Sequence, residues 1–180
     1  MTSLTLGTLE PAPALDHPDL LADPVHATLA AWAHAGEVAV APIDPEAADT
    51  AACNAAYDIP EDAGVNCVVV GGRRDGEERV AACLVRADTR ADVNSRVKEL
   101  LDVRKASFLS MEQAVEQSGM EYGGITPIGL PAGWRLLVDA RVVDVPVALI
   151  GSGVRRSKVL LPGRLLAELP GAEVVEDLAR

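Results

Sequence analysis

The stretch Tyr122–Pro131, Y-G-G-I-T-P-I-G-L-P, gathers three glycines and two prolines in ten residues and is the part of the chain best able to hold a ligand on its backbone. Gly123 and Gly124 have no Cβ, so they tolerate positive φ and let a ligand approach bare peptide. Pro127 pushes Thr126 toward an extended conformation and stiffens the segment, and Gly129 closes the same candidate site. A loop of this kind can offer preorganised N–H donors to a carbonyl or carboxylate oxygen, as an oxyanion hole does. Glycine-proline loops are more often plain connectors, and the pattern alone leaves the two uses open.

A second flexible turn, Gly151-Ser152-Gly153, follows an apolar run that ends at Ile150, and Arg155, Arg156 and Lys158 come directly after it. It could cradle an anionic group or simply join two strands. No G-x-x-x-x-G-K-[ST] is present, so a nucleoside triphosphate site is not indicated. His17, His26 and His34 all precede the first predicted strand, and there is no G-x-S-x-G elbow to pair a base with a nucleophile. Cys53, Cys67 and Cys83 are odd in number, widely spaced and without a C-x-x-C pair, which fits reduced, buried thiols better than a disulfide framework or a metal site. Metal catalysis is therefore disfavoured. Ile43, Cys67 and Ile125 are candidate walls of a small pocket.

These segments need elements to position them. Asp23-Pro24 predicts a helix start, with Leu29 and Trp32 on its periodic face and Gly36 at its end. Val38 and Val40 read as a short strand, and Asp44-Pro45 opens a second helix running to about Tyr57. Asn66–Val70 and Arg79–Arg86 are β-rich runs joined by a hairpin loop over Gly71–Gly76. Thr89 is placed as the cap of a helix carrying Val93, Val97, Leu100 and Leu101; a strand over Ala106–Leu109 and a helix ending at Gly119 follow. Arg135–Asp139, Val147–Ile150 and Val159–Leu161 are further strands, and a last helix from Pro162 stops at Pro170-Gly171 before a short acidic tail. The expected architecture is a single α/β or α+β domain built on one mixed β-sheet flanked by helices. Residues 1–15 lack apolar period and are set aside as a flexible N-terminal tail, leaving 16–180 as the domain.

At 180 residues and 49% hydrophobic the chain can bury a real core, but with 3% aromatics it cannot build an RNA-recognition sheet of stacked rings. The apolar runs are strand-length, too short for a membrane helix, and Met1–Pro13 has neither basic residues nor an apolar signal core, so a soluble, cytoplasmic protein is expected. The net charge of −11 resides entirely in residues 1–72, which hold acids and no base; beyond Gly72 the charges balance. A basic face over Arg73, Arg74, Arg155, Arg156 and Lys158 stays possible alongside the plain reading of solvated surface.

The segments G-G-I-T-P-I-G-L (Gly123–Leu130), L-L-V-D-A (Leu136–Ala140) and I-G-S-G-V-R-R-S-K (Ile150–Lys158) resemble, in order and spacing, three blocks of the YbaK/prolyl-tRNA-editing-associated family. The resemblance spans roughly residues 25–175, with the helix around Asp49-Thr50 at the family's substrate-pocket helix and Asn66 at the start of its first central strand. It implies a mixed sheet with flanking helices and hydrolysis of the ester that joins a wrong amino acid to the tRNA 3′ end, without cofactor. The partner implied is the acceptor end of a mischarged aminoacyl-tRNA. The backbone around Gly123, Gly124 and Pro127 would hold the aminoacyl group, Gly151–Gly153 would line the same cavity, Ser152 would add a hydroxyl, and Arg155 or Arg156 would meet the phosphates. Active relatives usually carry lysine where this chain has Asn66, followed by threonine where it has Cys67. Lys158 is the first candidate to replace that cation and Lys105 the second. The alternative is a catalytically silent module that keeps the pocket for an aminoacyl group or another small ligand.

Overall fold

The computed structural model describes residues 4–180. In chain order its strands are β1 (Ala12–Pro13), β2 (Ala39–Pro42), β3 (Val65–Arg74), β4 (Glu77–Arg86), β5 (Ala106–Phe108), β6 (Arg135–Asp139), β7 (Ala148–Gly151), β8 (Ser157–Leu161) and β9 (Ala172–Val175). The helices are α1 (Asp23–Ala31), α2 (Thr50–Tyr57), α3 (Lys98–Leu101), α4 (Met111–Ser118) and α5 (Ala140–Val143). The class is α+β as expected, but the one mixed sheet is two. An antiparallel four-stranded sheet has the order β1-β2-β8-β7, and a mixed five-stranded sheet has the order β5-β3-β4-β6-β9, with β6 parallel to both β4 and β9. They touch at a parallel bridge between Gly64 and Leu149, where the Leu149 amide donates to the Ala63 carbonyl at 2.9 Å.

Strand periodicity accounts for the two main apolar clusters. Val40, Val159 and Leu161 of the smaller sheet and Ala82, Leu84, Leu136 and Val138 of the larger one bury their side chains together, with Val25 and Leu29 of α1 closing the cluster. The alternate residues Ala81, Cys83, Val85 and Leu137 face the other way, onto Val93, Val97 and Leu101. A helix over that segment was expected, and it forms as a π turn, Val93–Val97, leading into α3. Thr89 does not cap it: its hydroxyl donates to the Arg86 carbonyl.

Several expected boundaries move for identifiable reasons. The loop over Gly71–Gly76 shrinks to Asp75-Gly76, both at positive φ (52° and 84°), the conformation that matches the twist of two paired strands, so β3 and β4 run up to it on either side. The second helix is interrupted. The Asp44 carboxylate caps only the 3-10 turn Pro45–Ala47, accepting from the Glu46 amide at 2.9 Å, and Asp49 caps a fresh start, accepting from the Ala52 amide at 3.0 Å. The last helix is a 3-10 segment, Gly163–Glu168, and the acidic tail after Pro170-Gly171 forms β9, where Glu173 makes a two-pronged ion pair with Arg135 at 2.7 and 2.9 Å.

The segment set aside as a tail is, from Leu4 on, part of the fold. Ala12 and Pro13 pair with Val40 and Ala39, Leu9 and Ala14 are buried, and the Thr8 amide donates to the Tyr57 carbonyl at 2.9 Å. Its scattered apolar residues show no period because it is a strap crossing the surface, with Leu4 and Leu6 resting on an apolar cluster built from Ala41, Cys53 and Leu160. Residues 1–3 lie outside the described residues. No helix among the described residues is long and apolar enough to cross a membrane.

Candidate functional site

A cleft of about 530 Å³ opens over the seam where the two sheets part. The first turn of α2 forms one wall and the start of β3 another; the end of β7 and Lys158 of β8 line it too, and Phe108, Met111, Tyr122, Gly123 and Ile125 complete it. Interruption of the second helix is what shapes it. The bend at Ala48 leaves that residue's carbonyl without a helical partner, and the Lys158 ammonium donates to it at 2.7 Å. Thr50, Cys53 and Asn54, spaced i, i+3 and i+4 along α2, present one helix face to the cavity.

Among the described residues, Asp49 and Lys158 are the only charged ones lining it. Lys158 is 9% exposed and makes no ion pair among the described residues. Burial pushes its pKa down from the ordinary lysine value, partly opposed by Cys53 and Asp49. Asn66 sits at the start of β3 and its side-chain oxygen accepts a hydrogen bond from the Thr50 hydroxyl at 2.8 Å. Burial raises the thiols of Cys53 and Cys67, so neither is a ready nucleophile.

The glycine-proline loop is held against the turn after β7 by backbone alone. The Gly153 amide donates to the Gly124 carbonyl at 2.7 Å and the Glu121 amide to the Gly153 carbonyl at 2.8 Å. A Cβ on Gly151 would lie 2.4 Å from the Gly124 carbonyl oxygen, and one on Gly124 would lie 2.7 Å from that of Val154, so the two segments meet at a distance only glycine permits. The Gly124 amide is occupied by the Glu121 carbonyl at 3.0 Å. Among the described residues the amides of Gly123 and Ile125 donate to nothing, and both residues line the cleft.

Of the residues singled out in the sequence, Asn66, Cys67, Gly123, Gly151, Lys158 and Ile125 come together here. The others do not line it. Pro127 and Gly129 line a separate cleft beside Trp32 and Trp134, and the hydroxyl of the wholly buried Thr126 has no hydrogen-bond partner among the described residues. The Ser152 hydroxyl is buried and turned inward to the Ser157 hydroxyl at 2.7 Å and to the Val154 carbonyl at 3.1 Å, and Gly153 supports the loop from behind. Ile43 belongs to the apolar cluster under Cys53. Arg155 and Arg156 diverge: Arg155 donates to the carbonyls of Tyr122 (3.1 Å) and Pro45 (2.9 Å), beside the cleft, whereas Arg156 reaches the Asp19 carbonyl at 2.5 Å.

Sequence reasoning missed Ala48, Cys53, Asn54, Phe108, Met111 and Tyr122 as lining residues. Nothing in the sequence marked the last three: only the structure shows that Phe108, Met111 and Tyr122 are 65%, 55% and 54% exposed. Among the described residues no three His, Cys, Asp or Glu side chains gather where they could hold a metal ion.

Residues 44–169, which include every lining residue of this cleft, match the aminoacyl-tRNA editing domain family. The chain belongs to that family. This editing domain is also similar to the proline–tRNA ligases of Listeria welshimeri serovar 6b and Listeria monocytogenes serotype 4a, at 32% identity over 77 residues, which is 42% of this chain and only 13% of theirs. Among solved structures it resembles a candidate trans-editing enzyme for prolyl tRNA synthetase, with a TM-score of 0.72 at 20% identity over 86% of this chain and 94% of that one. It also resembles a hypothetical protein, with a TM-score of 0.65 at 26% identity over 77% of this chain and 86% of the other. The first of these likenesses carries the fold, as expected from the YbaK-type blocks.

Proposed function

We propose that this editing domain is a trans-acting aminoacyl-tRNA deacylase whose cleft receives the aminoacyl end of a mischarged tRNA. The observation that carries the reading is the meeting of Asn66, Gly123, Gly151 and Lys158 in one cleft, from four separated parts of the family-matched region. The free amides of Gly123 and Ile125 are suited to receive the ester carbonyl oxygen, and to hold it more tightly as it becomes an oxyanion. Water adds to the carbonyl carbon, the ester C–O bond breaks, and the ribose oxygen leaves with a proton, releasing the amino acid and the tRNA. Lys158 supplies the positive charge that offsets the oxyanion, in place of the lysine usual at Asn66. Thr50 fixes the Asn66 carboxamide so that its NH2 faces the substrate's ribose or carbonyl. Enclosure between α2, β3 and the loop makes the site a second sieve, selecting by size what a synthetase pocket separates by only about 1–3 kcal/mol per methylene.

One observation favours a second reading, a silent binding module: the family's usual cation is absent at Asn66 and that side chain is already engaged by Thr50. Deacylation of tRNAs charged with Ala, Ser, Cys, Thr or Pro by the native protein and by Asn66→Lys separates the two. Hydrolysis of one or two of these by the native chain is expected; turnover by Asn66→Lys alone would leave binding as the role.

A further inference from the structure

Phe108 is the chain's only phenylalanine, is 65% exposed, and lines two clefts at once. One is the cleft described above. The other, of about 580 Å³, runs on from the same ring and is lined by Arg90, Asn94, Lys105, Ser107 and Arg180. Among the described residues Asp92 is its only carboxylate side chain, and the Arg180 guanidinium is paired with it. Arg90 and Lys105 are exposed and, among the described residues, in no ion pair. The backbones of Arg90 and Arg180 are tied by reciprocal hydrogen bonds of 2.8 and 2.9 Å, so this wall is preformed. In a chain of net charge −11, two unneutralised cations beside an exposed ring form an unusual surface.

We propose that this second cleft is the exit path of the single-stranded 3′ end of RNA, with a terminal base stacked on Phe108 and the preceding phosphates running past Arg90 and Lys105. This rests on the deacylase reading for the position of the 3′ terminus. With the acyl group inside the first cleft, the terminal nucleoside must lie at its mouth, and the chain behind it must leave across one rim. A ring accepts any base face, and cations beyond it follow the backbone, the combination by which single strands are bound without sequence reading. The alternative rim, at Arg155 and Arg156, offers guanidiniums already turned onto the carbonyls of Tyr122, Pro45 and Asp19.

The test is binding of an uncharged RNA minihelix ending in a single-stranded CCA, followed by fluorescence anisotropy across a salt series. Phe108→Ala should weaken binding about five- to hundredfold and Phe108→Trp should restore it. Arg90→Ala with Lys105→Ala should weaken it and reduce the slope of log affinity against log salt by about 1.4, two contacts at about 0.7 each. Arg155→Ala with Arg156→Ala should leave both unchanged. The proposal is overturned if only the last pair weakens binding, or if the native protein fails to bind the RNA. Because the RNA is uncharged, binding through this path without turnover on charged tRNA would sink the deacylase reading alone.

Discussion

The Thr50 hydroxyl donates to the Asn66 side-chain oxygen at 2.8 Å, tying the first turn of α2 to the start of β3 across the mouth of the cleft. The bond engages the oxygen end of the carboxamide and leaves its NH2 end outside this contact. Thr50→Val keeps the shape of the side chain and removes the donor. It should cost about 1 kcal/mol in urea unfolding, the usual net worth of such a bond. Deacylation should fall further than the small stability loss explains, because the carboxamide is then free to turn its oxygen toward the substrate carbonyl. An unchanged rate would mean that Asn66 takes no part in holding the substrate.

Lys158 is buried against a carbonyl, and burial favours its neutral form, so its charge is lost at lower pH than that of an ordinary lysine. If the ammonium offsets the oxyanion, the deacylation rate must fall as pH rises through this lowered pKa, and the fall must disappear in Lys158→Met. Met also removes a poorly compensated buried charge, so its stability at neutral pH should equal or exceed that of the native protein while activity drops at least tenfold. A pH–rate profile for the two proteins over the alkaline range decides the matter; matching profiles would remove Lys158 from the reaction.

Gly151→Ala places a methyl group 2.4 Å from the Gly124 carbonyl oxygen and 2.8 Å from that of Ile125. Both obstacles are backbone, so the loop itself must shift, at about 1–3 kcal/mol of stability, and the Ile125 amide must move with it. Activity should fall more than tenfold at temperatures where the variant is fully folded. Gly36→Ala is the control, since a Cβ there meets nothing within 4 Å, and its thermal midpoint and rate should match the native values.

The sequence carried the fold through elements whose signals are local. The pairing of two strands about a Gly- and Asp-containing turn, the run Arg135–Asp139 and the stop at Gly119 each have local signals that the structure reproduces, although the turn is Asp75-Gly76 and not the expected loop over Gly71–Gly76. What was illegible depends on distant partners. β1 and β9 are short edge strands with no alternation of their own, defined only by the pairing of Ala12 with Val40 and of Val174 with Val138. The two sheets are separate ladders that meet at the bridge between Gly64 and Leu149, an arrangement that no local pattern announces. In the site, Gly123 and Gly151 were visible as glycines that permit close approach. Gly124 looked identical, yet its amide is occupied, and Ser152 turns inward because Ser157, five residues away, is buried beside it.

Asp139 ends β6, is 2% exposed, and accepts from the Arg141 guanidinium at 2.8 and 3.0 Å, from the Arg141 amide at 3.0 Å and from the Ala179 amide at 2.9 Å. Burial alone would raise its pKa; the Arg141 side chain and the two amides outweigh it and hold the carboxyl below its ordinary value. A depressed carboxyl contributes stability that is fully present above the unfolded value of 3.8 and is lost as pH falls through the lower folded value. Asp139→Asn should therefore cost about 2–3 kcal/mol at pH 7, less than a fully buried pair because Arg141 is 45% exposed, and the cost should shrink below pH 4. Urea unfolding of the two proteins at pH 7 and pH 3 measures the difference, and a cost that stays constant between them would show that packing, and not the carboxylate's charge, holds the C-terminal segment against β6.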